Sequence, residues 1–281
     1  MPESAEPGVP AGRLAVRKTY KLFVGGAFPR SESGRTYEVR GANVALASRK
    51  DLRDAVVAAR AAQPGWAGAT PYLRGQILYR VAEMLEARAA EFGALGVAAA
   101  EVAAAVDRWV WYAGWADKVA QVRGNANAVA GPYFNLSVPE PLGVVGVVAP
   151  ADGPLLALTS VLAPAVVTGN TAVVLAAAAH PAAALTLAEA VATADVPGGV
   201  VNLLTGRAAE TAPWLAAHRD VDGLDLTGLT DADLARECES AAAETLTRVR
   251  RPAPEDFAAD PGTGRLAAWL ETKTVWHPKG R

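Results

Sequence analysis

Cysteine is almost absent from this chain. Cys238 is alone among 281 residues, so no internal disulfide framework and no paired-cysteine redox or metal motif can form. Histidine is nearly as scarce: His180, His218 and His277 are scattered, and no metal-ligand spacing joins them. A surplus of one charge is missing too. The 27 Lys and Arg face 29 Asp and Glu, for a net charge of -2 with no basic block, which excludes a nucleic-acid surface. Nor is there an unbroken apolar run of membrane length. The longest apolar stretch, 154–179, is interrupted by Thr159, Ser160, Pro164 and Thr168 through Thr171, whereas a span needs about 20 mostly apolar residues. Residues 1–20 carry Glu3, Glu6, Arg13, Arg17 and Lys18 without an apolar core, so no signal peptide is expected there. Together these absences predict a soluble, cytoplasmic protein with no membrane and no nucleic-acid partner.

What is present is apolar material for a core, 51% of the chain. The chain is organised around residues 140–179. Residues 142–149 are a β-branched apolar run closed by Pro150, the pattern of a strand buried on both faces. Asp152-Gly153-Pro154 supplies a turn, with Pro154 placed for the first turn of a helix. Residues 155–167 are apolar all round and stop at Thr168-Gly169-Asn170, and Thr171–Leu175 is the next buried strand. Strand, helix and strand make a βαβ unit, so the fold class is α/β with a parallel sheet.

Around this unit the pattern predicts further elements. Residues 1–19 are rich in Pro, Gly, Glu and Ala and read as a disordered tail. Residues 21–28 read as strand, Gly-Gly turn and return. Leu52, Ala55, Val56, Ala59 and Ala62 fall at helical spacing, with Ser48 as cap and Pro64-Gly65-Trp66 as the stop. Thr70-Pro71 opens a second helix with a stripe of Ile77, Leu78, Val81, Met84 and Leu85. A third helix is expected over 91–106 and a fourth over 107–122, whose Trp109, Trp111, Tyr112 and Trp115 read as packing. In 133–138, Phe134, Leu136 and Val138 alternate with Asn135 and Ser137, as in a half-buried strand. Helices are also expected over 183–194, 214–218 and 234–246.

Several of these phrases resemble the NAD(P)-dependent aldehyde dehydrogenases. That family carries E-P-x-G-V-V-G-V-I-x-P-W-N-x-P followed by A-P-A-L-x-x-G-N-T-V-V-L-K-P-S-E. Residues 140–148, Pro150, Pro154, Ala163-Pro164-Ala165 and Gly169-Asn170-Thr171 match it. Residues 195–206 resemble its D-V-P-x-G-V-V-N-x-x-T-G, residues 220–228 its H-P-x-V-D-x-I-x-F-T-G-S, and residues 264–275 its C-terminal G-R-x-x-G…L-x-x-Y-x-E-x-K-T-V. The resemblance implies a Rossmann-like cofactor domain over 20–246, with an oligomerisation hairpin at 131–142 and a C-terminal oligomerisation segment at 264–281. It also implies that 247–263, which reads as a linker, stands where the family holds its catalytic domain.

The departures from the pattern fall on the chemistry. The family's cysteine nucleophile and glutamate base belong to the interval that 247–263 replaces. Cys238 sits between Glu237 and Glu239, which disfavours a thiolate, and is not expected to act. The family's oxyanion-holding Asn is Asp152 here, a carboxylate that reads as a turn and helix-cap residue. The resemblance leaves a vestigial cofactor site at Ala149, Pro150, Ala176, Thr227, Gly228 and Leu229. Its Lys and Glu are replaced by Ala176 and Ala179, and Asp231 and Asp233 fill the helix end that would hold a pyrophosphate. No catalytic residue and no tight binding of NAD or NADP is therefore expected. The leading expectation is a degenerate homologue acting as a binding or regulatory subunit, partnered by itself or by a full-length aldehyde dehydrogenase. The alternatives are an active oxidoreductase whose site a partner completes, and a bare nucleotide-binding module.

Overall fold

The computed structural model describes residues 18–280. The tail expected over 1–19 lies outside them except for Lys18 and Thr19. In chain order the elements are β1 (Thr36–Val39), β2 (Ala42–Ala45), α1 (Arg49–Gly68), α2 (Pro71–Glu86), α3 (Ala89–Ala94), α4 (Ala99–Ala113), α5 (Val119–Arg123), β3 (Asn125–Asn127), β4 (Tyr133–Pro141), β5 (Val144–Val148), α6 (Leu156–Val167), β6 (Thr171–Leu175), α7 (Pro181–Ala192), β7 (Val201–Leu204), α8 (Ala208–Ala216), β8 (Gly223–Asp225), α9 (Ala232–Ala243), β9 (Arg248–Arg250), α10 (Gly264–Ala268) and β10 (Leu270–Pro278).

Runs of β-branched and small apolar residues make the central sheet. Its five strands lie in the order β7-β6-β5-β8-β9, each pair parallel. Val145, Val147, Ala172 and Val174 point into one apolar cluster, and Val144, Val148, Val173 and Leu175 into the other. This period of two with both faces apolar is what a doubly covered parallel sheet requires. Residues of α2, α4, α6 and α7 complete the first cluster, and those of α1, α8 and α9 the second. Strand order reverses between β5 and β8, and in doubly wound sheets the crevice outside the carboxyl ends of such strands is where ligands bind. The α/β class and the Rossmann-like parallel sheet are as the sequence predicts. Among the described residues, no helix is long and apolar enough to cross a membrane.

Local signals set several boundaries. Ser48 caps α1 in a reciprocal box with Asp51, and Thr70 caps α2 with Pro71 in its first turn. Elsewhere tertiary contacts override the local pattern. Pro64 does not end α1, which continues to Gly68. The buried Trp66 anchors that last turn, its indole N–H donating to Val166 O at 2.8 Å. The helices expected at 91–106 and 107–122 are divided differently. The chain breaks between α3 and α4, where Gly96 takes φ +82°, and again after Ala113. Trp109 and Tyr112 then face the core of α4, with Trp111 and Trp115 half-buried beside them. The expected return over 21–28 is reduced to single bridges, Phe23 with Leu203 and Val24 with Ala27. Helices α7, α8 and α9 each begin two or more residues before the predicted positions, and α9 stops at Ala243.

Two expectations are revised more deeply. The α/β layer does not end at 246, because β9 adds a fifth parallel strand beside β8. The hairpin expected at 131–142 is the middle of a three-stranded antiparallel sheet, β10-β4-β3. Its burial is opposite to the sequence reading. Asn135 is buried, while Phe134, Leu136 and Val138 are exposed. The polar face carries its own bonds: Asn127 Nδ2 donates to Asn135 Oδ1 and Ser137 Oγ, and Ser137 meets the Thr274 hydroxyl at 2.9 Å. Helix α5 ends against this face, with a Cβ on Gly124 falling 3.1 Å from Ser137 O.

Candidate functional site

The crevice is built from the ends of β5, β6 and β8. Ala149 N–H donates to Leu175 O, Ala176 N–H to Leu204 O, and Gly228 N–H to Val148 O at 3.0 Å. These bonds set Ala149, Ala176 and Gly228 at neighbouring strand ends. Gly228 is required there by contact: a Cβ would lie 2.3 Å from Ala149 O. Leu229 turns its side chain into the apolar cluster under α9.

The polar groups at the crevice are already engaged. Asp231 caps α9, its Oδ1 accepting from Asp233 N–H at 2.9 Å and Leu234 N–H at 3.2 Å. The first-turn donors that could face an anion therefore have a carboxylate on them. Asp233 adds a second carboxylate in the same turn, paired with Arg236. Thr227 donates its N–H and hydroxyl to Asp225 Oδ1, and its Oγ1 also accepts from Arg265 Nη2 at 3.1 Å.

Beneath Thr227 lies a buried ionic cluster that the sequence reading missed. Asp225 is fully buried and Arg265 nearly so, and Arg265 Nη1 reaches Asp225 Oδ2 at 2.6 Å. Arg265 also donates through Nε and Nη2 to Glu255. Burial alone would lower the Arg265 pKa, but Glu255 and Asp225 outweigh it and hold the guanidinium charged. Burial would raise Glu255, yet Arg265 and then Arg250 hold its carboxyl below the ordinary range. The only sequence signal is a lone Asp inside a short apolar strand, unpaired in any local pattern.

This cluster fastens 251–263 onto the α/β layer. Phe257 O and Ala259 O accept from Arg108, which also donates to Ser160 on α6. Arg251 bonds Glu239 on α9, and the Arg265 guanidinium lies 5.8 Å from the Phe257 ring. The segment read as a linker is thus tied to α4 and α9 and to the end of β8.

The candidate catalytic positions are apart from one another in environment. Asp152 lies exposed in the turn before α6 and caps nothing. The cap is remote: Glu101 Oε1, on α4, accepts from Leu155 N–H at 2.8 Å and Leu156 N–H at 3.2 Å. No pattern within α6 reveals this, although its lack of a local capping residue leaves the donors to be accounted for. Cys238 lies on the buried face of α9, and burial, then the Glu237 charge, pushes its thiol up to about 11. Neither side chain bonds to a base among the described residues. Among these residues, too, no His, Cys, Asp and Glu cluster could hold a metal ion.

Comparison with known proteins gives the geometry its context. Residues 35–250 match the model of the aldehyde dehydrogenase family. The chain is 32% identical to aldehyde dehydrogenase, cytosolic 1, of Elephantulus edwardii, covering 89% of this chain and 53% of the relative. It is 33% identical to an aldehyde dehydrogenase of Aspergillus niger, over 74% of this chain and 45% of that one. Among solved structures, an aldehyde dehydrogenase from Bacillus cereus in complex with NAD+ superposes with a TM-score of 0.77 at 29% identity. It covers 83% of this chain and 50% of that one. The chain spans about half the length of the curated relatives it matches. With the family match running from β1 to the end of β9 and the same sheet found in solved members, this chain belongs to the aldehyde dehydrogenase family.

Proposed function

We propose that this chain acts as a catalytically silent subunit, binding to or regulating itself or a full-length aldehyde dehydrogenase. The observation that carries the reading is the capped start of α9. There Asp231 already accepts from Asp233 and Leu234, and Asp233 adds a further charge. A bound pyrophosphate would meet carboxylates where it needs free N–H donors, so the residues present do not fit a tightly held NAD or NADP. Cys238, kept protonated in the core, supplies no thiolate. A single cysteine suits the reducing setting of the cytoplasm.

The second reading is an oxidoreductase completed by a partner subunit. It draws on the relatives, which are named as dehydrogenases and include one solved with NAD+. Calorimetry with NAD and NADP, together with an aldehyde oxidation assay, separates the two. The silent-subunit reading expects no saturable binding in the micromolar range and no turnover above a blank. Asp231→Ser with Asp233→Gly should strengthen cofactor binding by about tenfold or more, since charge-assisted contacts are worth ~1.5–3 kcal/mol. Micromolar binding by the unaltered chain, or turnover lost in Cys238→Ala, would overturn the proposal.

A further inference from the structure

A second concavity lies away from the crevice, between the first turn of α1 and the carboxyl end of α8. It encloses about 560 Å³, within the range of small-molecule sites. Its walls are fixed by the fold. Leu52 on α1 and Leu215 on α8 share one apolar cluster, and Trp214 packs half-buried against that cluster beside the cavity. The third wall, the turn at Glu32, is fastened to α1. Ser31 Oγ donates to Asp51 Oδ2 at 2.7 Å, and Glu32 N–H donates to Asp51 Oδ1 at 3.0 Å.

The charges around this cavity are one-sided. Arg49, Lys50 and Arg53 of α1 line it with His218, against the single carboxylate of Glu32. The chain as a whole is slightly negative, so general basicity does not account for them. Nor do the cations serve α1. Arg49 and Lys50 open its first turn, where the positive end of the helix disfavours them. Ser48 and Asp51 already close that end reciprocally, so the helix terminus is not itself the receptor. Partners are only partly supplied. Lys50 reaches Glu32 at 3.6 Å and Arg53 turns to Asp54, while Arg49 has no carboxylate partner among the described residues. His218 Nδ1 accepts from Asp220 N–H at 3.2 Å, which leaves Nε2 as the donor of the neutral ring.

From this arrangement we infer that the cavity between α1 and α8 binds a planar aromatic anion, its ring against Trp214 and its carboxylate or phosphate on Arg49. The indole offers a large apolar surface with a preference for stacked or edge-on rings. The guanidinium fork takes two oxygens of a carboxylate or a phosphate in parallel, a charge-assisted contact. Lys50 and His218 add a second cation and a further donor at the same wall. The two halves together set the ligand class. An aliphatic acid would leave Trp214 uncovered, and a neutral arene would leave Arg49 without its anion. The cavity shares no residue with the crevice at the ends of β5, β6 and β8, so the inference stands apart from the silent-subunit reading.

The test follows the indole N–H signals of the full chain by NMR, the Trp214 signal being assigned by its loss in Trp214→Phe. Naphthoate and naphthyl phosphate are the probes, and the tighter of the two identifies the anion. Either should move the Trp214 signal saturably with a Kd of about 1 mM or below, leaving the buried indoles of Trp66, Trp109 and Trp269 unmoved. Cyclohexanecarboxylate and naphthylmethanol each lack one half of the recognition and should bind about tenfold more weakly. Arg49→Glu should weaken the probes about tenfold or more, yet leave thermal melting unchanged or raise it, because an acid suits the first turn of a helix. Affinity and stability moving in opposite directions mark a binding residue rather than a structural one. A Trp214 signal unmoved by both probes overturns the inference. So does naphthylmethanol binding as tightly as naphthoate, or full probe affinity in Arg49→Glu.

Discussion

Replacing Arg265 with methionine tests the buried ionic cluster most directly. The substitution keeps much of the side-chain volume and removes the charge. It leaves the Asp225 carboxylate, which has no exposed surface, with only the Thr227 N–H and hydroxyl as donors. Glu255 loses Arg265 as well, but it retains Arg250 and some access to water. Breaking a buried pair by removing one partner costs about 3–5 kcal/mol, because the remaining charge is uncompensated. Adding Asp225→Leu removes that charge and strands only the Thr227 donors, a residual of ~1–3 kcal/mol. Urea denaturation followed by fluorescence of the buried tryptophans should therefore rank the parent first, the double variant second and Arg265→Met last. An Arg265→Met protein within about 1 kcal/mol of the parent would refute the reasoning, as would a double variant less stable than the single one.

Glu101→Ala should cost about 1–2 kcal/mol in the same denaturation experiment, because it strands the Leu155 and Leu156 N–H groups at the start of α6; Asp152→Ala should change nothing measurable. Stability should also fail in alkali. Burial pushes the Cys238 thiol from 9.0 to about 11 and the Tyr112 phenol from 10.0 to about 12. Both groups hold their protons more tightly when folded. Their contribution is thus complete below pH 9 and is lost as pH rises through 11 and 12, which thermal melts across that range should show as a steepening fall.

Much of the fold is legible because it rests on local repetition. Val144–Val148 and Thr171–Leu175 are short apolar runs between breakers, and two faces of apolar residues leave a buried parallel strand as the economical reading. Ser48 and Thr70-Pro71 act within one helical turn of the donors they satisfy, so their roles can be seen in the sequence. The misread features depend on distant partners. Pro64 stays helical because Trp66 finds a carbonyl 100 residues away. Asp225 and Arg265 are 40 residues apart and read as unrelated charges until the sheet brings them together. The alternation in β4 is visible, but which face is buried depends on α5 and on the bonds among Asn127, Asn135 and Ser137. At the crevice the substitutions themselves are plain in the sequence; the remote cap from Glu101 is not.

The antiparallel sheet has a consequence for how the chain reaches its native state. Ser137 on β4 and Thr274 on β10 meet across 137 residues of sequence, and the whole parallel layer lies between them. Closing so long a loop is entropically unfavourable until the intervening residues have folded. Until then β4 is paired on one side only, with β3, and its other edge stays open. During that interval it offers one open edge to any other nascent chain. The β4–β10 ladder is thus completed after the parallel layer, although its own register runs unbroken from Leu270 to Pro278.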